Sequence, residues 1–64
     1  MKATVEVSPL ESGRWMAVIV VNGERRAGGL HWNQASAVAA GCDYACCLAN
    51  VTEIEVVTKS PEQP

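Results

Sequence analysis

The sequence predicts an α+β domain with element order β-β-β-α-β, a four-stranded mixed sheet of strand order 3-2-1-4 with one helix on one face. Three observations predict it. Apolar residues alternate with a period of two over residues 3–8 and 52–58, their spacing changes to the 3.6 of a helix between residues 34 and 49, and an Asn22-Gly23 pair divides two strand-like runs.

Ala3-Thr4-Val5-Glu6-Val7-Ser8 reads as a strand with one buried face, stopped by Pro9 and followed by the turn residues Glu11-Ser12-Gly13. Residues 14–21 (RWMAVIVV) are apolar on both faces, as a central strand is. A two-residue type I′ turn at Asn22-Gly23 would pair Val21 with Glu24, Val20 with Arg25, Ile19 with Arg26, Val18 with Ala27 and Trp15 with Leu30. After Gly28-Gly29 and His31-Trp32, Asn33 is a good N-cap for a helix over residues 34–49. Gly41 weakens that helix by up to about 1 kcal/mol relative to alanine, which points to a close approach by another backbone. Asn50 can close it, and residues 52–58 (TEIEVVT) form a last strand, brought parallel to the first by a right-handed crossover. Residues 1–59 are thus one domain, and Ser60-Pro61-Glu62-Gln63-Pro64, with nothing to bury, is expected to be a disordered tail.

With 64 residues, 48% of them apolar, the chain has material for one small core and none for a lid over a substrate. Five basic against seven acidic side chains leave a net charge of −2, which argues against affinity built on neutralising many phosphates. Charged residues are 19%, below the roughly 25% of an average domain, so part of the surface is expected to be covered by a partner. Lys2 is followed by an alternating segment containing Glu6 and not by an apolar export run, hence a cytoplasmic protein is expected. Residues 35–48 are the most apolar stretch, but Asp43 interrupts them and they are too short for a bilayer core of about 30 Å. No membrane association is expected.

Three cysteines, Cys42, Cys46 and Cys47, fall within one helical segment. Cys42 and Cys46 would share a face with Cys47 about 100° away, an arrangement that suits no disulfide framework. The single histidine, His31, lies before the helix, leaving a zinc site short of ligands, so the cysteines read as small buried apolar residues. No Ser, Thr or Cys has a histidine at relay spacing and the glycines form no phosphate loop, so no catalytic residue, metal or cofactor is expected. His31-Trp32 reads as a packing staple at the helix entry before it reads as a recognition pair. Glu53 and Glu55 read as a solvated strand face. Arg14, Arg25 and Arg26 are the only basic cluster, and with Trp15 and Ile19 they could stack and neutralise a single strand of nucleic acid. The plainer reading of these charges is a protected sheet edge.

The order of elements and some of the local text resemble the first half of the ribonuclease H fold. The similar parts are Val5-Glu6-Val7 as first strand, the second strand running from Gly13 through Ala17-Val18-Ile19 into Asn22-Gly23, the Ala-rich helix opened by Asn33, and the closing Glu55-Val56-Val57-Thr58-Lys59-Ser60. A truncated version of this fold also occurs in HicB-type antitoxins and in small phage and mobile-element proteins. Catalysis in the ribonuclease H family uses magnesium-holding carboxylates, and the positions nearest to theirs are Leu10, Ser36 and Lys59. None is acidic, so the resemblance implies the fold without nuclease activity, in a small inhibitor- or antitoxin-like module.

At 100° per residue, Ala35, Val38, Ala39, Cys42, Ala45, Cys46 and Ala49 form the stripe expected to pack on the sheet. The opposite side carries Ala37, Ala40, Tyr44, Cys47 and Leu48 where polar residues would be usual. The expected interface is therefore Ala37, Ala40, Gly41, Tyr44, Cys47 and Leu48, joining two copies as a homodimer. The alternative surface is the sheet around Arg14, Trp15, Ile19, Arg25 and Arg26. The functional expectation is a non-enzymatic, protein-binding or regulatory module acting as a homodimer with an unidentified protein partner, nucleic-acid binding being the second reading.

Overall fold

The structure, a computed structural model, describes residues 1–48 and 50–59. Its elements are β1 (Lys2–Pro9), β2 (Trp15–Val21), β3 (Glu24–His31), α1 (Gln34–Cys46) and β4 (Glu53–Thr58). The sheet order is β3-β2-β1-β4, with β1 antiparallel to β2, β2 antiparallel to β3, and β1 parallel to β4. This is the topology the sequence predicts. Ala3, Val5 and Val7 of β1 and Ala17 and Ile19 of β2 point under the helix and are fully buried, while their neighbours in sequence face the other way. The expected disordered tail, residues 60–64, and Ala49 of the expected helix stripe lie outside the described residues.

The hairpin turn has the geometry its residues favour, with positive φ at both Asn22 (54°) and Gly23 (83°). The expected register holds from Val21–Glu24 to Val18–Ala27, but Ala17 is then opposite Gly29, leaving Gly28 as an extra residue in β3. Beyond this bulge Met16 faces Leu30 and Trp15 faces His31, which corrects the expected Trp15–Leu30 pair. The two glycines meet different needs. A Cβ on Gly28 would come within 2.7 Å of Ile19 Cδ1, whereas Gly29 takes up a φ of +96° that side-chain-bearing residues avoid.

Asn33 caps α1 as expected, its side-chain oxygen accepting the Ser36 N–H at 2.8 Å. The helix stops sooner than expected, at Cys46, where the Cys47 N–H turns back to the Tyr44 carbonyl. Its buried row is Ala37, Gly41 and Ala45, with Val38 and Leu48 packed in part against the same core. The helix is thus rotated away from the expected stripe, and Ala35, Ala39 and Cys46 are exposed. The cause is steric. The sheet presents Val5, Val7 and Ile19, and a row spaced by four whose members are Ala, Gly and Ala lets the helix lie closest to them. A Cβ on Gly41 would overlap Val5 Cγ1, so the close approach it was expected to signal is made by a side chain of β1.

This rotation corrects the expected helix interface. Ala37 and Gly41 are sealed in the core, Leu48 is half-buried against it, Ala40 is half-buried, and only Tyr44 and Cys47 are exposed. It also corrects the cysteine reading, since Cys46 and Cys47 are exposed free thiols and only Cys42 is partly covered.

Candidate functional site

The helix lies over β1, β2 and β3 and barely touches β4. On the other side of the sheet no described element covers the residues that alternate with the core: Met16, Val18 and Val20 of β2, and Arg25, Ala27 and Leu30 across from them. Met16 is 36% exposed and its cross-strand partner Leu30 is 54% exposed. Just past the ends of these strands, the Arg14 guanidinium carbon sits 4.2 Å from the centroid of the Trp32 ring. Trp32 itself is 75% exposed. Its expected staple is not formed, because the partner position in the helix is Ala37, a small residue already sealed against the sheet. The stacked guanidinium contributes about 0.5–1 kcal/mol at such an exposed place. His31 turns instead to the bulge, its Nε2 lying 3.0 Å from the Gly28 carbonyl oxygen.

The charges of this face are tied to one another. Glu6, in the middle of the sheet, lies 3.0 Å from Arg25 Nη2 and 3.4 Å from Lys59 Nζ. Lys2 pairs with Glu55 at 2.9 Å, while on the opposite, helix side of β3 Arg26 pairs with Glu24 at 3.1 Å. Burial on the sheet disfavours the Glu6 carboxylate, but the Arg25 hydrogen bond and charge, with Lys59 adding to them, outweigh that and hold its pKa below the ordinary value. A carboxylate with a depressed pKa stabilises the fold at pH above its unfolded value, and that contribution is lost as pH falls through the lower, folded value. The urea midpoint is therefore expected to drop below about pH 4.3, and Glu6→Gln to flatten this acid limb. Equal acid limbs in the two proteins would show that the Glu6 pairs contribute nothing.

The expected basic and aromatic surface is not one surface. Ile19 lies fully buried beneath the helix and Trp15 is half-buried on the same side, packed on the core. Arg25 and Arg26, adjacent in a strand, point to opposite faces. Arg14 is stacked on Trp32 and not on Trp15. The exposed apolar residues that the structure does assemble are Met16, Leu30 and Trp32. Reading Gly28-Gly29 as a bulge, which would have placed Leu30 on the face of Met16, is the signal that could have found them.

The positions closest to the catalytic carboxylates of the resembling family lie apart in role. Leu10 donates its N–H to the Arg14 carbonyl in the loop after β1, Ser36 sits in the first helical turn, and Lys59 is paired with Glu6. Among the described residues no group of three or more His, Cys, Asp or Glu side chains could hold a metal ion, and no helix is long and apolar enough to cross a membrane. An open hollow of about 240 Å³ lies between the hairpin turn and the end of α1, but the Arg26–Glu24 pair in its lining already satisfies its charges. The fold and face together define a two-layer α+β domain with an uncovered, partly apolar sheet. No protein-family model, curated protein or solved structure matches the chain.

Proposed function

We propose that this chain is a non-enzymatic, cytoplasmic protein-binding module of regulatory type, inhibitor- or antitoxin-like, that works as a homodimer and meets a protein partner with the open face of its sheet. The observation that carries the reading is the exposed set Met16, Leu30 and Trp32 with Arg14 stacked on the indole. Tryptophan and arginine dominate the energetics of protein interfaces, and an ordered exposed ring loses little freedom when it is covered. The ion pairs favour protein over nucleic acid, since a phosphate reaching Arg25 or Arg26 would have to displace Glu6 or Glu24. The resemblance to truncated ribonuclease H-like antitoxins, with its suggestion of a phage or mobile-element origin, supports the reading through architecture alone.

Affinity capture from host extract tests it. Wild type is expected to retain a protein that Trp32→Ala or Leu30→Lys loses, Trp32→Ala weakening it by roughly 10-fold or more, while Ala39→Lys on the exposed helix side leaves it in place. A titration with single-stranded RNA at two salt concentrations tests the opposing reading. Tight binding that weakens steeply with salt would overturn the proposal in favour of nucleic acid.

A further inference from the structure

The two edges of the sheet are built differently. At one, β3 is interrupted by the Gly28 bulge and carries Glu24, Arg25 and Arg26, devices that discourage pairing with another strand. At the other, β4 is a regular six-residue strand that among the described residues pairs only with β1, and α1 leaves it almost bare. Val56, on the helix side of this strand, is 41% exposed. The phase of its backbone follows from one bond: the Lys59 N–H donates to the Val7 carbonyl at 2.8 Å, and Val7 is opposite Thr58. In a parallel ladder a carbonyl accepts from the residue after its partner, so Glu55, Val57 and Lys59 direct their backbone groups at β1. Ile54, Val56 and Thr58 then direct theirs outward.

We infer that this edge takes the β4 of a second copy of the chain, antiparallel, with Val56 opposite Val56 on a two-fold axis perpendicular to the sheet. The contact rests on the homodimer of the function proposed above and supplies its surface. In this register Ile54 falls opposite Thr58, so every outward backbone donor and acceptor of the strand is paired. Glu53 falls opposite Lys59, giving two complementary charge pairs, one on each side of the axis. A shift by one side-chain repeat in one direction would set Glu55 against Glu55, and in the other would carry Ile54 past Thr58, the end of the strand. The two Val56 side chains meet on the helix side of the joined sheet, in the strip between the two helices that α1 leaves almost bare. The result is one eight-stranded sheet with both copies of Met16, Leu30 and Trp32 on the same side, a bivalent surface for a partner.

Sedimentation equilibrium of the full chain, with amide hydrogen exchange read by NMR, tests the contact. The expected mass at micromolar concentration is twice the 6.8 kDa of the chain, with slowed exchange at the Ile54, Val56 and Thr58 amides. Val56→Lys places two ammonium groups at the axis and is expected to raise the dimer dissociation constant by at least about 10-fold. Val56 is 41% exposed and not part of the core, so the variant should keep its circular dichroism spectrum. Glu53→Lys alone should weaken the dimer several-fold, and Glu53→Lys with Lys59→Glu should restore it. A wild-type mass of 6.8 kDa would overturn both this contact and the homodimer. A dimer that survives Val56→Lys, with the three edge amides exchanging freely, would overturn the contact alone.

Discussion

Gly41→Leu is expected to abolish the fold. The position is buried, and even a lone Cβ there would overlap Val5 Cγ1, so a four-carbon side chain can be housed only if α1 lifts off the sheet. Lifting it would expose Ala3, Val5, Val7, Ala17 and Ile19 together, which is most of the core. At roughly 0.05–0.15 kcal/mol per residue, a chain of 64 residues has only a few kcal/mol to lose. Gly41→Ala is a graded version of the same test. Alanine gains up to about 1 kcal/mol in helix propensity but overpacking costs about 1–3 kcal/mol, so a net loss of stability is expected. Val5→Ala makes room for that methyl group, and the double variant should be more stable than the sum of the two single effects. Urea unfolding followed by circular dichroism measures all three. Additive effects, or a Gly41→Ala protein more stable than wild type, would show that the helix does not lie as close as described.

Ile19→Ala is expected to have the next largest effect, a loss of about 2–5 kcal/mol. Ile19 is the largest fully buried side chain, roofed by the helix and flanked by the bulge at Gly28, so neither neighbour can collapse into the space it vacates. Val18→Ala, one residue away on the open face, should cost on the order of 1 kcal/mol, because its side chain is already partly in water. The contrast should appear as a fall in Tm of about 10 °C or more for Ile19→Ala against a few degrees for Val18→Ala. Similar losses at the two sites would mean that the open face is covered, as by a second layer of protein.

Period and turn chemistry were enough to read the element order, the strand order and the hairpin, because β1 alternates cleanly and Asn22-Gly23 admits one kind of turn. Two features escaped that reading for physical reasons. The face of α1 was undecidable from apolarity alone, since Ala, Cys and Val occupy every side of it and the deciding quantity was the volume of the row 37-41-45 against Val5. The candidate site was misplaced because both faces of β2 are apolar, so Trp15 and Ile19 were as eligible as Met16 and Val18 until the helix chose a side. The Asn33 cap is legible in the sequence and places Trp32 where a staple residue would stand, whereas the burial of Ala37 that leaves the ring without a partner is a property of the packing.

The extra residue in β3 gives the stretch between the hairpin and the helix cap one residue of slack. Removing Gly28 would close the bulge and leave every pair from Val21–Glu24 to Trp15–His31 in place, so Leu30 would stay beside Met16. The Asn33 cap would keep its place two residues after His31, and α1 would still set its Gly41 row over Val5. A first deletion at the bulge is therefore absorbed locally, while a second, of Gly29, would set Leu30 opposite Ala17 and be transmitted to the upper layer. The stretch from Asn22 to Asn33 sets where the helix lands, with one residue of play at the bulge.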